Sequence, residues 1–154
     1  MSSTTELIVI LDRSGSMQDR RADHEGGLRS FVRDQRTLAG EVRLTFVRFD
    51  TVDPFELVYD GVPVASVEEN KLLLIPRGGT PLLEAVGRTL AHVAERRGRE
   101  PAQAGLVIVM IITDGQENAS APDWTKARVK ALVTEREAAG WKMLYLGANV
   151  DEFA

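Results

Sequence analysis

Three short polar segments contain the residue types and spacings that could carry chemistry. They run from Asp12 to Ser16, from Gly78 to Thr80 and from Thr113 to Gly115. Two carboxylates that lie close together repel each other unless a cation neutralises them. Carboxylate and hydroxyl oxygens select hard divalent ions over softer metals. The segments therefore predict an all-oxygen site for Mg²⁺, Mn²⁺ or Ca²⁺, with donors from Asp12, Ser14, Ser16, Thr80 and Asp114.

Each segment alone also has an ordinary structural explanation. Asp, Ser and Gly favour turns, so the first segment can be a turn without a ligand. Thr80 before Pro81 is a good helix N-cap. Asp114 followed by Gly115 is a common turn signal. A metal site is indicated by the combination, because all three segments fall at predicted ends of strands or helices.

The elements that must position these segments follow from hydrophobic patterning. Two aliphatic runs, Leu7 to Leu11 and Leu106 to Ile112, lack polar alternation, as is typical of strands covered on both faces. Further strands are predicted at Val42 to Asp50, Phe55 to Asp60 and Met143 to Leu146. The alternation of Phe55 to Asp60 is typical of a half-exposed edge strand. Helical spacing occurs at residues 28–38, 82–93 and 129–133.

The resulting order, β-α-β-β-α-β-α-β, predicts the α/β class, with a mainly parallel sheet between helical layers. Right-handed crossovers bring the carboxyl ends of parallel strands to one edge. Ligands bind there, where the strand order switches. Asp12 and Asp114 meet at that edge if the first and the long strand are neighbours. With 154 residues and no linker or repeat, we expect one domain, 1–154.

The three segments resemble the metal-ion-dependent adhesion site (MIDAS) of the von Willebrand factor A (vWA) domain. The resemblance rests on Asp12, Ser14 and Ser16, on Thr80 after two glycines, and on Asp114 between Thr113 and Gly115. It covers nearly the whole chain and is greatest to small stand-alone versions from bacteria and phages. It implies a three-layer α/β/α Rossmann-like fold with one antiparallel edge strand.

The resemblance also implies how the site works. Ser14, Ser16 and Thr80 bind the metal through hydroxyls, and Asp12 and Asp114 bind it directly or through water. A Glu or Asp carboxylate of a partner protein takes the open sixth position. The implied function is a non-catalytic, metal-dependent protein-binding module, an adaptor in a larger microbial assembly, for example with an AAA+ ATPase. The family's sixth strand and final helix have no counterpart in Val150 to Ala154, so we expect either a minimal version of the domain or a natural chain that continues further.

Composition excludes several other classes. The chain has 19 Lys and Arg against 23 Asp and Glu, a net charge of −4, which disfavours nucleic-acid and anionic-membrane binding. It has no cysteine, which excludes disulfides and cysteine-based zinc sites. No apolar run approaches the ~18 residues of a membrane span. The first residues lack the pattern of a signal peptide, so we expect a cytoplasmic protein.

Two alternative functions stay open. A Mg²⁺-dependent phosphoryl-transfer enzyme could use Asp12 as nucleophile, although Ser14 stands where such enzymes carry a second Asp and a P-loop is missing. A metal-free interaction domain could bind partners through its helices or its edge strand. Two further predictions are structural: Asp50 closes a hairpin, and Trp124 and Trp141 anchor the last helix by packing.

Overall fold

The computed structural model describes residues 4–12, 21–36, 41–50, 53, 55–67, 81–99, 105–113 and 122–146. These ranges contain strands β1 (Thr4–Asp12), β2 (Glu41–Phe49), β3 (Glu56–Pro63), β4 (Gly105–Ile112) and β5 (Lys142–Leu146). They also contain helices α1 (Arg21–Arg36), α2 (Leu82–Arg99) and α3 (Lys126–Ala138), and a 3₁₀ turn at Val64–Ser66. The predicted order of strands and α-helices is confirmed.

The sheet has the order β3-β2-β1-β4-β5. β1 is parallel to both β2 and β4, and β4 is parallel to β5. β3 lies at one end of the sheet and is antiparallel to β2. The prediction of a mainly parallel sheet with one antiparallel edge strand is therefore confirmed. We call the edge where the parallel strands end the carboxyl edge, and the opposite one the amino edge.

The two faces of the sheet carry separate cores, which explains the unbroken aliphatic runs. Ile8 and Ile10 pack into the core formed with α2 and α3. Leu7, Val9 and Leu11 pack into the core that includes α1 residues. Successive side chains of a strand point to opposite faces, so a strand that is buried on both faces needs apolar residues at nearly every position.

The edge strand departs from the strict alternation predicted for it. Phe46 pairs with Tyr59, but its neighbour Val47 pairs with Leu57, so β3 carries an extra residue at Val58. Val58 and Tyr59 consequently both pack against the α1-side core. A second irregularity precedes Gly61, whose φ of 63° lies in the left-handed region that glycine adopts without strain.

Close packing between α2 and α3 depends on a glycine that the sequence patterns did not single out. A Cβ on Gly87 would lie 2.3 Å from the Trp124 ring, so only glycine admits the indole against α2. Gly26 and Gly27 are instead exposed within α1, and α1 begins before them. Trp124 and the buried Trp141 both pack on the α2–α3 core, as predicted.

Candidate metal centre

Asp12 ends β1 at the carboxyl edge and is fully buried, with 0% of its surface exposed. It has the same parity as Ile8 and Ile10 and so faces the α2–α3 side of the sheet. Its Oδ2 accepts a hydrogen bond of 2.7 Å from the hydroxyl of Thr113. A carboxylate taken out of water needs hydrogen bonds or a cation to offset its lost hydration. Asp12 is therefore a buried, hydrogen-bonded carboxylate at the carboxyl edge.

The register of the sheet brings the first and third polar segments together. β1 and β4 are adjacent and parallel, with Leu11 opposite Ile112. The next residues, Asp12 and Thr113, consequently lie side by side at the carboxyl edge, and Asp114 follows Thr113 in the sequence. The condition set by the sequence analysis, that the first and the long strand are neighbours, is therefore met.

Thr113 has a role that the sequence reasoning missed. Its side chain is buried, and its hydroxyl orients the Asp12 carboxylate. Partners that orient a metal ligand in this way tune the affinity of the site. The register of the strands could have revealed this role. Thr113 is one position beyond the end of β4, and Asp12 ends the neighbouring parallel strand β1, so the two side chains lie next to each other.

The other predicted ligands, Ser14, Ser16, Thr80 and Asp114, lie outside the described residues. In the part of the chain that the structure describes, no group of three or more acidic or histidine side chains could hold a metal. Of the five predicted ligands, the structure thus places only Asp12.

Helix geometry brings the amino end of α2 to the level of Asp12. The Arg96 side chain of α2 contacts Glu6 near the amino edge. From Arg96 back to Leu82 the helix rises by roughly 21 Å, at 1.5 Å per residue. From Glu6 to Asp12 the strand rises by about 20 Å, at 3.3 Å per residue. Because α2 leads into β4, it runs opposite to the parallel strands, and its first turn lies near the carboxyl edge. Thr80 is two residues before Leu82.

Asp50 also lies at this edge but closes the β2–β3 connection. Its Oδ1 accepts a hydrogen bond of 2.7 Å from the backbone N–H of Asp53. Its own N–H donates to the Asp53 carbonyl at 3.1 Å. The predicted hairpin role of Asp50 is confirmed.

Comparison with known proteins finds similarity in the fold and none in the sequence searches. No protein-family model and no curated protein matches the sequence. Solved structures do match. A von Willebrand factor type A structure from Catenulispora acidiphila superposes with a TM-score of 0.64 and 18% identity over 95% of this chain. The chain has the von Willebrand factor A fold. It spans 33% of that Catenulispora chain.

Two further vWA-fold neighbours have metal in their names. Proximal thread matrix protein 1 from the mussel byssus, with a zinc-occupied MIDAS motif, matches at a TM-score of 0.68 and 14% identity. Manganese-loaded TRAP protein from Plasmodium vivax matches at 0.61 and 14%. The matches cover 99% and 98% of this chain, and 42% and 61% of the neighbours. Among the helices that the structure describes, none is long and apolar enough to cross a membrane.

Proposed function

We propose that the chain is a metal-dependent protein-binding module whose carboxyl edge holds a divalent cation in a MIDAS. The buried, hydrogen-bonded Asp12 at the end of β1 carries this proposal. Ser14, Ser16 and Thr80 would supply hydroxyl ligands, and Asp114 a second carboxylate. We propose Mg²⁺ as the resident ion, with Mn²⁺ or Ca²⁺ as substitutes, since all five donors are oxygens. The domain would comprise residues 1–154.

The chemistry of such a donor set favours capture of an acidic group. Neutral hydroxyl ligands donate little charge, so the cation keeps its attraction for an external anion. A Glu or Asp side chain of a partner protein would complete the coordination. Structures with this fold include a byssus matrix protein and the pilus adhesin SpaC from Lactobacillus rhamnosus GG, and those names support a binding role.

A non-catalytic role fits the surroundings of Asp12 better than phosphoryl transfer does. A nucleophilic carboxylate must reach the phosphorus atom of its substrate, whereas Asp12 is fully buried and hydrogen-bonded to Thr113. We propose a stand-alone module of bacterial or phage type that acts as an adaptor. The AAA+ ATPase partner and the cytoplasmic location stay predictions from the sequence.

Water-proton relaxation with Mn²⁺ as the probe tests the proposed coordination. A bound Mn²⁺ with an open position carries exchanging water and enhances relaxation. A short glutamate-containing peptide should displace that water and lower the enhancement, whereas its glutamine analogue should not. Asp12→Ala should abolish the enhancement. Equal effects of the two peptides, or equal Mn²⁺ binding by the variant, would contradict the proposal.

A further inference from the structure

An ion cluster with a buried acid at its centre lies far from the candidate metal centre, near the opposite end of β1. We define it as Glu6 of β1, Asp60 of β3, and His92, Arg96 and Arg97 of α2. Glu6 is 2% exposed, and Arg96 and Arg97 expose 14% and 16% of their side chains. Four secondary-structure elements thus meet in one set of hydrogen bonds, since Thr45 of β2 also takes part.

Glu6 is the centre of this cluster. Its Oε1 accepts a hydrogen bond of 2.9 Å from Nη1 of Arg97. Its Oε2 accepts from the Thr45 hydroxyl at 2.9 Å and from Nη2 of Arg96. Hydrogen bonds between charged groups are roughly twice as strong as neutral ones. Glu6 therefore ties the last turns of α2 firmly to β1.

A second acid ties the same helix to the edge strand. Asp60 Oδ1 lies 3.2 Å from Nε of Arg96, and its Oδ2 lies 2.9 Å from Nε2 of His92. Gly61 permits this contact, because a Cβ at that position would lie 1.9 Å from Nη1 of Arg96. The Gly61 N–H also donates to the Thr45 hydroxyl at 2.9 Å. The irregular part of β3, at Asp60 and Gly61, therefore leaves room for the Arg96 side chain and contacts it.

These contacts restrain α2 along its own axis. Apolar packing of helix on sheet is non-directional, whereas paired guanidinium–carboxylate contacts specify one position. A helix is stiff, so an axial displacement at Arg96 moves Leu82 by a similar distance. By the helix and strand rises given above, that amino end lies about level with Asp12.

We infer that the ion cluster is a positioning device for the metal centre: Glu6, Arg96 and Arg97 set the distance between Asp12 and the first turn of α2 at Leu82. This inference rests on the proposed metal-binding function. It predicts coupling between opposite edges of the sheet, although no cluster residue belongs to the predicted ligand set.

The test is Mn²⁺ affinity, measured by titration calorimetry well below the unfolding temperature. Glu6→Gln keeps the shape of the side chain and removes its charge. A substitution that acts on the site from a distance in this way should weaken Mn²⁺ binding by about tenfold. Glu41→Gln is the charge-matched control, since Glu41 forms an exposed ion pair with Arg43 at the same edge of the sheet. Val64→Ala is the stability control, because Val64 is buried on the opposite face. Both controls should bind Mn²⁺ as the wild type does.

A second measurement detects the displacement of α2 directly. The Trp124 ring lies against Gly87 of α2, so its indole N–H signal in NMR reports the helix position. Trp141→Phe assigns the two indole signals. The Trp124 signal should shift in Glu6→Gln and stay unchanged in Glu41→Gln and Val64→Ala. Arg97→Gln should give the same result as Glu6→Gln.

The outcomes separate the two claims. If the wild type binds no Mn²⁺, the proposed function fails and the positioning role fails with it. If the wild type binds Mn²⁺ and Glu6→Gln binds equally well, only the positioning role is overturned. Weakening of the same size in Val64→Ala would also overturn it, because the effect would then follow general stability.

Discussion

The two ends of β1 bury an acid on the same face of the sheet, and the two acids have different surroundings. Glu6 at the amino edge is neutralised by two arginines of α2 and held by Thr45. Asp12, about 20 Å away along the strand, accepts a hydrogen bond from the neutral hydroxyl of Thr113. The residues that follow Asp12 and Thr113 in the sequence are rich in further oxygen donors. Burial of an acid therefore does not by itself indicate function; the origin and charge of its partners do.

The comparison predicts that the Glu6 end contributes mainly to stability. Glu6→Ala removes the anion and leaves two largely buried guanidinium groups without their shared partner. Breaking a buried ion pair in this way costs about 3–5 kcal/mol. Urea denaturation should show this loss as a lower midpoint with an unchanged slope.

The control for Glu6→Ala is an exposed acid at the same edge of the sheet, Glu41. Glu41→Ala removes an exposed acid and should cost only ~0–1 kcal/mol. If Glu6→Ala costs no more than Glu41→Ala, the ion cluster does not stabilise the fold, and the proposed contrast between the two ends of β1 is wrong.

At the Asp12 end, the Thr113 hydroxyl provides a sharper test. Thr113→Val keeps the shape and removes the hydrogen bond to Asp12, at a cost of about 1.5–3 kcal/mol, as for other bonds to charged groups. It should also weaken Mn²⁺ binding by about tenfold, because the ligand loses its orienting partner. Thr113→Ser keeps a hydroxyl and should therefore retain most of the stability and most of the Mn²⁺ affinity of the wild type. Chemical denaturation and Mn²⁺ titration measure the two effects; unchanged affinity in Thr113→Val would show that Asp12 needs no orientation.

The smallest predicted effect concerns Gly61. Gly61→Ala forces a side chain into left-handed backbone and against Arg96, and the backbone term alone costs about 1–2 kcal/mol. Gly26→Ala is the matched control, because Gly26 is exposed within α1, and alanine there should stabilise by about 0.5–1 kcal/mol. Thermal unfolding measures both effects. If Gly61→Ala and Gly26→Ala change the melting temperature in the same direction, the proposed role of Gly61 is wrong.

The regular elements were predictable from the sequence because their patterns are local. Unbroken aliphatic runs such as Leu7 to Leu11 specify a strand buried on both faces, and both cores are present. The crossover rules placed the carboxyl ends of the parallel strands at one edge, whereas the adjacency of β1 and β4 entered the sequence reasoning only as a condition and is supplied by the structure. The position of Asp12 at the end of β1 was predictable because the aliphatic run stops there and polar residues follow it in the sequence.

The ion cluster was not predictable, because its contacts join residues distant in sequence. Glu6 and Arg97 are separated by 91 positions, and nothing in the local pattern at Thr5 to Leu7 marks a buried acid. The bulges of β3 and the close contact at Gly87 were also missed, since each is defined by a partner on another element. The contact of Thr113 with Asp12 was intermediate in predictability. It joins two distant positions, but the register of β1 and β4 alone is enough to place the two residues side by side.

The central claim is that the carboxyl edge binds a divalent cation through Asp12. Calorimetric titration of metal-stripped protein with Mg²⁺ and Mn²⁺ tests it most directly, with Asp12→Ala as the variant and Glu41→Ala as the folded control. The account predicts saturable binding at one site in the wild type and the control, and none in Asp12→Ala. Equal binding by Asp12→Ala, or no binding by the wild type, would contradict it.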